Sequence, residues 1–482
     1  MRLVLNTIKK IIPKNFLKKI KPFYHFGLSF LAACYHGFPS NKLVVIGVTG
    51  TSGKTSTTYL MAKAFNNSGS KAGYTSTAMF GDGEKEWLND KKMTMMGPFF
   101  TQKMIAKMVK NNCHYAIIET TSEGIVQSRH RFINYDILVF TGLYPEHIES
   151  HGGFDNYKQA KGQLFDYLKK CKVKYLNKDN KVVGVKNNLS KIELSKVKKT
   201  FILNNDNEHV GYFSSFWSEE KIFYSEKITD EIEENFFYYN NISVGLKGTS
   251  FNFIFQDRLK KEAVNHSVKL KLWGEFNVLN SVPVLILPFI LKINTDKYLA
   301  GLEEIKNIPG RLEIIDVGQK FLTIVDYAYE PVAMEKIYNL LDAFKSDLAE
   351  NGYDGKIVHV LGSAGGGRDK SRRPIMGGIA GSRADFVVVS NEDPYDENPL
   401  DIINQVASGA RESKKVEGVN LFRVLDRREA IKKALSLIEE GDILLITGKG
   451  CEQAICVQDG KKIPWDDRIV AKEEIVNKMQ LN

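Results

Sequence analysis

No acidic residue occurs in the first 42 positions of this chain, and none of its five cysteines forms a CxxC pair. The thiols, at 34, 113, 171, 451 and 456, suggest neither a zinc ribbon nor a disulfide framework, so a reducing, cytoplasmic setting is expected. The sequence also lacks internal repeats and low-complexity linkers. Excess charge is scarce outside the N-terminus. Of the net +10, +8 comes from Arg2, Lys9, Lys10, Lys14, Lys18, Lys19, Lys21 and Lys42. A nearly neutral body gives no basic nucleic-acid-binding surface over most of its length, and no nucleic-acid partner is expected.

What is present suits a globular protein: 482 residues, 43% hydrophobic and 26% charged, enough for two or three domains. In the basic N-terminal segment, residues 1–42, Leu5, Ile8, Ile12, Phe16 and Ile20 recur at helical spacing. Pro13 interrupts them, which predicts a kink or two short helices. The apolar stretch Phe23–Phe38 that follows is shorter than the roughly 20 residues of a spanning helix. Lysines beside aromatic residues suit peripheral contact of residues 1–38 with an anionic membrane face. Packing on the protein's own surface and a signal peptide are the alternatives.

Leu43–Val48 reads as a buried strand and Ser56–Phe65 as a helix. Between them lies Gly50-Thr51-Ser52-Gly53-Lys54-Thr55. Strand, glycine-rich turn and helix make a phosphate-binding loop. Its glycines let backbone N–H groups approach phosphate oxygens, Lys54 reaches the terminal phosphates of ATP, and the Thr55 hydroxyl suits Mg2+. Ala116–Glu119 and Ile137–Thr141 read as further parallel strands. Ligands bind beyond the carboxyl ends of such strands. Glu119 is therefore either a magnesium ligand or an ordinary strand-terminal acid.

The GTSGKT loop and the motifs after it resemble the Mur ligase family, closest to its MurE type, from about Lys42 to Gln453. Glu119-Thr120-Thr121-Ser122-Glu123-Gly124 is similar to E-V-S-S-H-G, which implies magnesium at Glu119 and acceptor contacts at Thr121 and Ser122. Gln127 and Arg129 match a Q-x-R that contacts the muramoyl substrate, and Thr94 lies in a loop resembling a substrate loop. Tyr144–Gly152 is similar to S-R-D-H-L-D-Y-H-G, which implies a second magnesium site at His147. Tyr157-Lys158-Gln159-Ala160-Lys161 resembles Y-x-x-A-K, whose lysine is carbamylated in relatives, so Lys161 is expected to carry a carbamate and bind magnesium. Catalysis would thus rest on Lys54, Glu119, His147 and Lys161. ATP would be held by Gly50, Thr51, Ser52, Gly53, Lys54, Thr55 and Ser56. The G-x-F-N-x-x-N element adds Asn277 and Asn280, the P-G-R-x-E element Arg311, and a D-Y-A-H-like segment Asp326.

Gly365–Asp369, Asn391–Tyr395 and Gly448–Glu452 resemble the segments that grip the incoming amino acid, which implies roles for Arg368, Asp393, Tyr395, Gly448 and Glu452. Asp393 and Tyr395 stand where the diaminopimelate-adding enzymes have asparagine and arginine. A guanidinium takes a distal carboxylate by two parallel hydrogen bonds, which tyrosine cannot do. An acid at 393 suits a distal ammonium, so lysine is favoured over meso-diaminopimelate.

The expected architecture is α/β. It comprises residues 1–42 as the basic segment, 43–308 as a P-loop central ATPase domain on a parallel sheet, and 309–482 as a Rossmann-like C-terminal ligase domain. The resemblance implies ATP-dependent amide formation through an acyl phosphate, with a muramoyl-peptide precursor and an amino acid as partners. Relatives carry a uridine-binding domain before the P-loop. With only about 40 residues there, the expectation is a differently held uridine diphosphate or a lipid-linked acceptor. The alternatives are a similar ligase acting on another carboxylate and an inactive membrane-attached ATP-binding scaffold.

Overall fold

Strand β1 (Val44–Thr49) is buried at every position, and its side chains alternate between two cores. Val44, Ile46 and Val48 meet Leu60 and Phe65 of helix α2 (Lys54–Asn67), whereas Val45 meets the opposite core, with Met104 and Ile105 of α3 (Pro98–Lys110). Burial on both faces is what a central parallel strand requires, and it explains the unbroken apolar run. The computed structural model describes residues 14–145, 151–177, 179–183, 194–227, 236–257, 262–353 and 355–481.

Helix α1 (Lys14–Tyr35) leads into β1 and α2. Then come β2 (Ala72–Thr75), β3 (Met79–Gly81), β4 (Glu86–Leu88), α3, β5 (Tyr115–Glu119), the short α4 (Ser122–Val126), β6 (Ile137–Phe140) and α5 (Phe154–Leu168). Strands β7 (Lys174–Leu176), β8 (Val182–Val183) and β9 (Ser195–Val197) form a small sheet of their own. The chain continues through β10 (Thr200–Asn204), α6 (Val210–Ser214), β11 (Glu220–Ser225), β12 (Phe236–Gly245), β13 (Gly248–Asp257), β14 (Glu262–Leu270), α7 (Glu275–Leu291) and α8 (Thr295–Glu303). Among the described residues, one 11-stranded sheet runs β14-β13-β12-β11-β10-β6-β1-β5-β2-β3-β4. It is parallel from β12 through β2 and antiparallel at both edges.

The second half begins with β15 (Glu313–Ile314) and β16 (Leu322–Asp326). It proceeds through α9 (Pro331–Ala343), α10 (Lys345–Glu350), β17 (Ile357–Leu361), α11 (Arg372–Arg383), β18 (Phe386–Ser390), α12 (Pro399–Glu412), β19 (Leu421–Val424), α13 (Arg427–Leu437) and β20 (Ile443–Thr447). It ends with the hairpin β21 (Ala454–Val457) and β22 (Lys461–Pro464) and helix α14 (Asp467–Leu481). Its six-stranded sheet runs β15-β16-β20-β17-β18-β19, parallel except at β15. Both parallel sheets thus carry their strand-end loops as candidate ligand sites.

The kink expected at Pro13 lies outside the described residues. Helix α1 runs unbroken through Pro22 to Tyr35 and takes in most of the apolar stretch that begins at Phe23. One flank of α1 docks on the body. Ser29 Oγ donates to the Ser128 carbonyl at 2.9 Å, and the Phe26 and Phe30 rings lie 5.1 and 5.3 Å from that of Phe132. The other flank leaves Phe23, Tyr24, Leu31 and Tyr35 exposed. No helix among the described residues is long and apolar enough to cross a membrane.

Candidate active site

The turn between β1 and α2 is built by two glycines with positive φ, Gly50 (155°) and Gly53 (78°). A Cβ on Gly53 would lie 2.5 Å from Asn280 Oδ1, and one on Gly50 would collide with Thr141 Oγ1 at 2.0 Å. Only glycine fits either position. The loop is braced from outside: Thr141 Oγ1 donates to Ser52 O at 2.6 Å, and Thr51 Oγ1 lies 3.2 Å from the Tyr157 hydroxyl. Within it, Lys54 Nζ donates to Thr51 O at 2.6 Å. The first-turn N–H groups of α2 have no acceptors within the helix and face the same side as its positive dipole end. Together these features make an anion cradle of triphosphate type.

Glu119 ends β5 directly beside β1, in register with Val48. Its buried carboxylate accepts from Thr55 Oγ1 at 3.0 and 3.1 Å, from Thr77 N at 2.7 Å and from Thr77 Oγ1 at 3.0 Å. Thr77 Oγ1 lies 2.8 Å from Thr94 Oγ1. A hydroxyl and a carboxylate side by side at a phosphate loop are the hard oxygen donors that magnesium takes, together with phosphate and water oxygens. The residues therefore fit that ion. Lys161 is 1% exposed, and its Nζ donates to Gly50 O at 2.7 Å and lies 4.6 Å from the Tyr157 ring centre. His147 lies outside the described residues.

Across the cleft stand the loops of the second sheet. Asp393 Oδ1 accepts from Cys456 N at 2.7 Å and Lys449 Nζ at 3.0 Å. Glu452 accepts from Lys449 Nζ at 2.5 Å and from the Tyr327 hydroxyl at 3.2 Å. Lys92, from the loop after β4, reaches over and donates to both Asp393 oxygens at 2.8 and 2.6 Å, and it pairs with Glu452 at 3.0 Å. The Asp393 carboxylate, expected to be open to a substrate ammonium, is thus already engaged by two lysines. Burial opposes its charge, but the Lys449 and Lys92 ammoniums outweigh burial and hold its pKa below the usual range. Glu392, next to it, is also buried. Desolvation raises its pKa, and its Oε2 has no hydrogen-bond partner among the described residues. That oxygen lies 2.5 Å from where a Gly448 Cβ would be, so Gly448, at φ 108°, leaves room for the acid. Tyr395, itself at φ 51°, lays its ring against Gly366, and burial pushes its pKa up to about 12.

One cavity gathers most of the residues named from sequence. Thr51 through Ser56, Thr94, Glu119, Thr121, Ser122, Arg129, Arg311, Asp326, Arg368, Asp393, Tyr395, Gly448 and Glu452 all line it. Others stand behind it. Gln127 Oε1 accepts from Arg129 at 2.6 Å and orients that guanidinium. Asn277 bonds Trp273 O and Asn280, and the Asn280 side chain abuts Gly53. Asp326 lines the wall with its carboxylate held by the N–H groups of Leu312 at 2.7 Å and Ala328 at 2.6 Å. Arg311 lies 4.4 Å from the Tyr327 ring centre. Sequence reasoning gave no role to Thr77, Lys92, Glu392 or Lys449. The last two lie inside motif segments, and Lys92 opens the segment that resembles a substrate loop, so these three could have been suspected, whereas Thr77 carries no local signal.

Comparison with known proteins follows the same two halves. Residues 48–198 match the Mur ligase middle domain and residues 310–450 the Mur ligase glutamate ligase domain. A UDP-N-acetylmuramyl-tripeptide synthetase of Roseiflexus sp. (strain RS-1) is 30% identical over 449 residues, covering 92% of this chain and 81% of that one. A UDP-N-acetylmuramoyl-L-alanyl-D-glutamate–2,6-diaminopimelate ligase of Halalkalibacterium halodurans is 30% identical over 446 residues, with 92% and 81% covered. A solved structure of a ligase with that same substrate name shares the fold, with TM-score 0.56 and 23% identity over 91% of this chain and 79% of that one.

Proposed function

The chain belongs to the Mur ligase family of ATP-dependent, ADP-forming amide ligases, and we propose that it joins a diamino acid, lysine by preference, to the Glu carboxylate of a muramoyl-Ala-Glu acceptor. It is of the MurE type, an enzyme of peptidoglycan synthesis. The observation that carries the reading is the single cavity in which Lys54, Thr55 and Glu119 face Arg368, Asp393 and Glu452.

A carboxylate acylates poorly because oxide would have to leave. The acceptor carboxylate therefore takes the γ-phosphoryl group of ATP, forming an acyl phosphate and ADP. The amine then attacks the acyl carbon, the C–N bond forms, the C–O bond to phosphate breaks, and the ammonium proton is lost. In this scheme Gly50–Ser56 cradle the triphosphate and Lys54 faces its terminal charge. Thr55 and Glu119, with His147, would hold magnesium, which neutralises charge on the transferring group. Lys161, a buried amine 2.7 Å from a loop carbonyl, is proposed to carry the carbamate that makes it a further ligand. Arg129 and Thr94 meet the acceptor. Tyr395 in place of a guanidinium, with two carboxylates beside it, supports an amine without a distal carboxylate.

The test is phosphate release from ATP with UDP-N-acetylmuramoyl-Ala-Glu, one amino acid at a time, with and without added bicarbonate. Release is expected with lysine, at least tenfold above meso-diaminopimelate (about 1.4 kcal/mol), and bicarbonate should raise it. A preference for diaminopimelate would overturn the lysine assignment, and indifference to bicarbonate would count against the carbamate.

Helix α1 supports peripheral attachment to an anionic membrane face, a cytoplasmic one in this reading. Its exposed Phe23, Tyr24, Leu31 and Tyr35 accompany a segment without any acid. Because Ser29 docks on Ser128, next to Arg129, membrane seating would bring the acceptor end of the cleft to the lipid surface, which favours a lipid-linked acceptor. The full chain should co-float with vesicles containing phosphatidylserine and not with neutral ones. Exchanging Phe23, Tyr24 and Leu31 for serine should abolish flotation, and flotation unchanged by these exchanges would remove the helix from that role. Turnover restored by membrane extract, where the soluble uridine-linked acceptor gives none, would mark the lipid-linked form.

A further inference from the structure

Among the described residues, Lys92 is the one side chain of the first half that enters the charged centre of the second. Its ammonium lies between Asp393 and Glu452 and is 6% exposed, and the pairing spans 301 residues of sequence. The loop that delivers it is anchored on both sides. Asn89 Nδ2 donates to Ser76 O at 2.9 Å and to Met93 O at 3.0 Å, and Arg129 donates to Met95 O. Lys92 itself takes φ 54°, in the left-handed region that few non-glycine residues adopt. A second link joins the same two parts, from Lys462 Nζ to Lys91 O at 3.3 Å.

Charge decides what this lysine can be doing. Asp393 and Glu452 bring two negative charges, and Lys449, from their own half, brings one positive charge. Without Lys92 the pair keeps one negative charge beyond what Lys449 offsets, and Arg427, a further cation near Asp393, is already paired with Asp467 at 2.7 Å. Burying such a charge is costly unless a cation meets it. Lys92 supplies that cation as an alkylammonium on a four-carbon stem, chemically the same group as the distal end of a diamino acid such as lysine.

We propose that Lys92 is an internal stand-in for the distal ammonium of the incoming amine, holding the two halves together across the cleft until that ammonium takes its place between Asp393 and Glu452. The inference rests on the reading that the amine enters at these residues. It makes Lys92 a specificity-determining residue. Exchanging one alkylammonium for another preserves the charge balance, whereas a neutral or anionic distal group cannot replace the lysine without stranding a carboxylate. A tethered competitor present at high effective concentration also lowers the apparent affinity for the free amine by the fraction of time the position is open.

The experiment compares the wild-type chain with Lys92→Met and Lys92→Arg. In Lys92→Met, the KM for lysine should fall on the order of tenfold, as expected if the stand-in occupies its position about nine-tenths of the time, with the KM for ATP unchanged. Lys92→Arg, which can grip both carboxylates, should raise it. Small-angle scattering without amino acid should show the Lys92→Met chain more extended than wild type, and a saturating concentration of lysine should extend the wild type toward the variant and leave the variant unchanged. A KM for lysine that is unchanged or raised in Lys92→Met would overturn the proposal, as would identical scattering of the two chains. Scattering needs no turnover. If no amino acid supports phosphate release but Lys92→Met still opens the molecule, it is the assigned reaction that fails, and the interlock stands. Titration of the Lys92→Met chain with free lysine in a calorimeter then decides whether an alkylammonium takes the vacated position: tighter binding than to wild type supports it, and binding no tighter overturns it.

Discussion

Replacing Lys54 by alanine should lower ATP-dependent amide formation by about 10³-fold, about 4 kcal/mol of transition-state stabilisation, while leaving the melting temperature within a few degrees of wild type. The phosphate loop does little covalent chemistry; it positions the triphosphate and offsets the charge that moves during transfer. Lys54 supplies the loop's only full positive charge, at the first position of α2, where the helix dipole acts in the same direction. Its Nζ donates to Thr51 O within the same loop, and that loop is braced independently by Thr141 and Tyr157. The effect should fall mainly on kcat, because the missing charge matters most when phosphoryl transfer is under way. Phosphate release under saturating ATP, with thermal unfolding of the same sample, checks both parts. Activity within tenfold of wild type would detach this loop from the chemistry, and a large drop in melting temperature would make the lysine structural.

Asp136→Asn should destabilise the chain by about 3–5 kcal/mol without touching the cleft. Asp136 precedes β6, at the opposite end of the strands from the phosphate loop, and its side chain is fully buried. Its carboxylate accepts from Val45 N at 2.9 Å, Lys174 Nζ at 2.5 Å and Lys199 Nζ at 2.7 Å. The two ammoniums also donate to the carbonyls of Leu43, Asn134 and Tyr135. Asparagine keeps the shape and removes the counter-charge, leaving two buried cations close together.

The sign of the pH dependence follows from Lys174. Burial lowers its pKa from 10.5 to about 8, against the pull of Asp136. Between those values the unfolded chain binds more protons than the folded one, so this lysine's contribution to stability rises with pH. Without Asp136 the folded lysine gives up its proton still more readily. The defect in Asp136→Asn should be largest well below pH 8 and shrink as the pH rises toward 8, where only the variant's folded lysine has already lost its proton; above pH 8 it should stay level. Urea unfolding at pH 6 and pH 9 tests this, and a loss of stability equal at the two would show that the buried cations are not its source.

How much of this was legible in advance depends on how far apart the cooperating residues lie. The phosphate loop was readable because strand, glycine turn and helix are contiguous and each has its own local signature. β1 begins at Val44 and α2 at Lys54, within two residues of expectation. The strands of the second half were equally clear, since buried parallel strands are short apolar runs ending in polar residues: the runs Leu322–Tyr327, Lys356–Leu361, Asp385–Ser390 and Asp442–Thr447 read as strands, and β16, β17, β18 and β20 lie inside them. Glu119 was visible for the same reason, as a strand-end acid. Motif order also supplied Arg368, Asp393, Tyr395, Gly448 and Glu452, all of which line the cavity.

The sequence by itself therefore determined the two α/β halves, the loop for a triphosphate and the residues that end the strands, because backbone conformation and burial pattern are local properties. Only the tertiary structure decided who meets whom. It engaged Asp393 with two lysines where an open carboxylate was expected, set Gln127 and Asn280 behind the cavity wall, and carried α1 through Pro22 to dock beside Arg129. It also brought Lys92 across the cleft to Asp393. An ion pair has no period and no spacing along the chain. Its energy depends on distance and burial after folding, and these two residues come within 2.6 Å only when two separately folded sheets face each other.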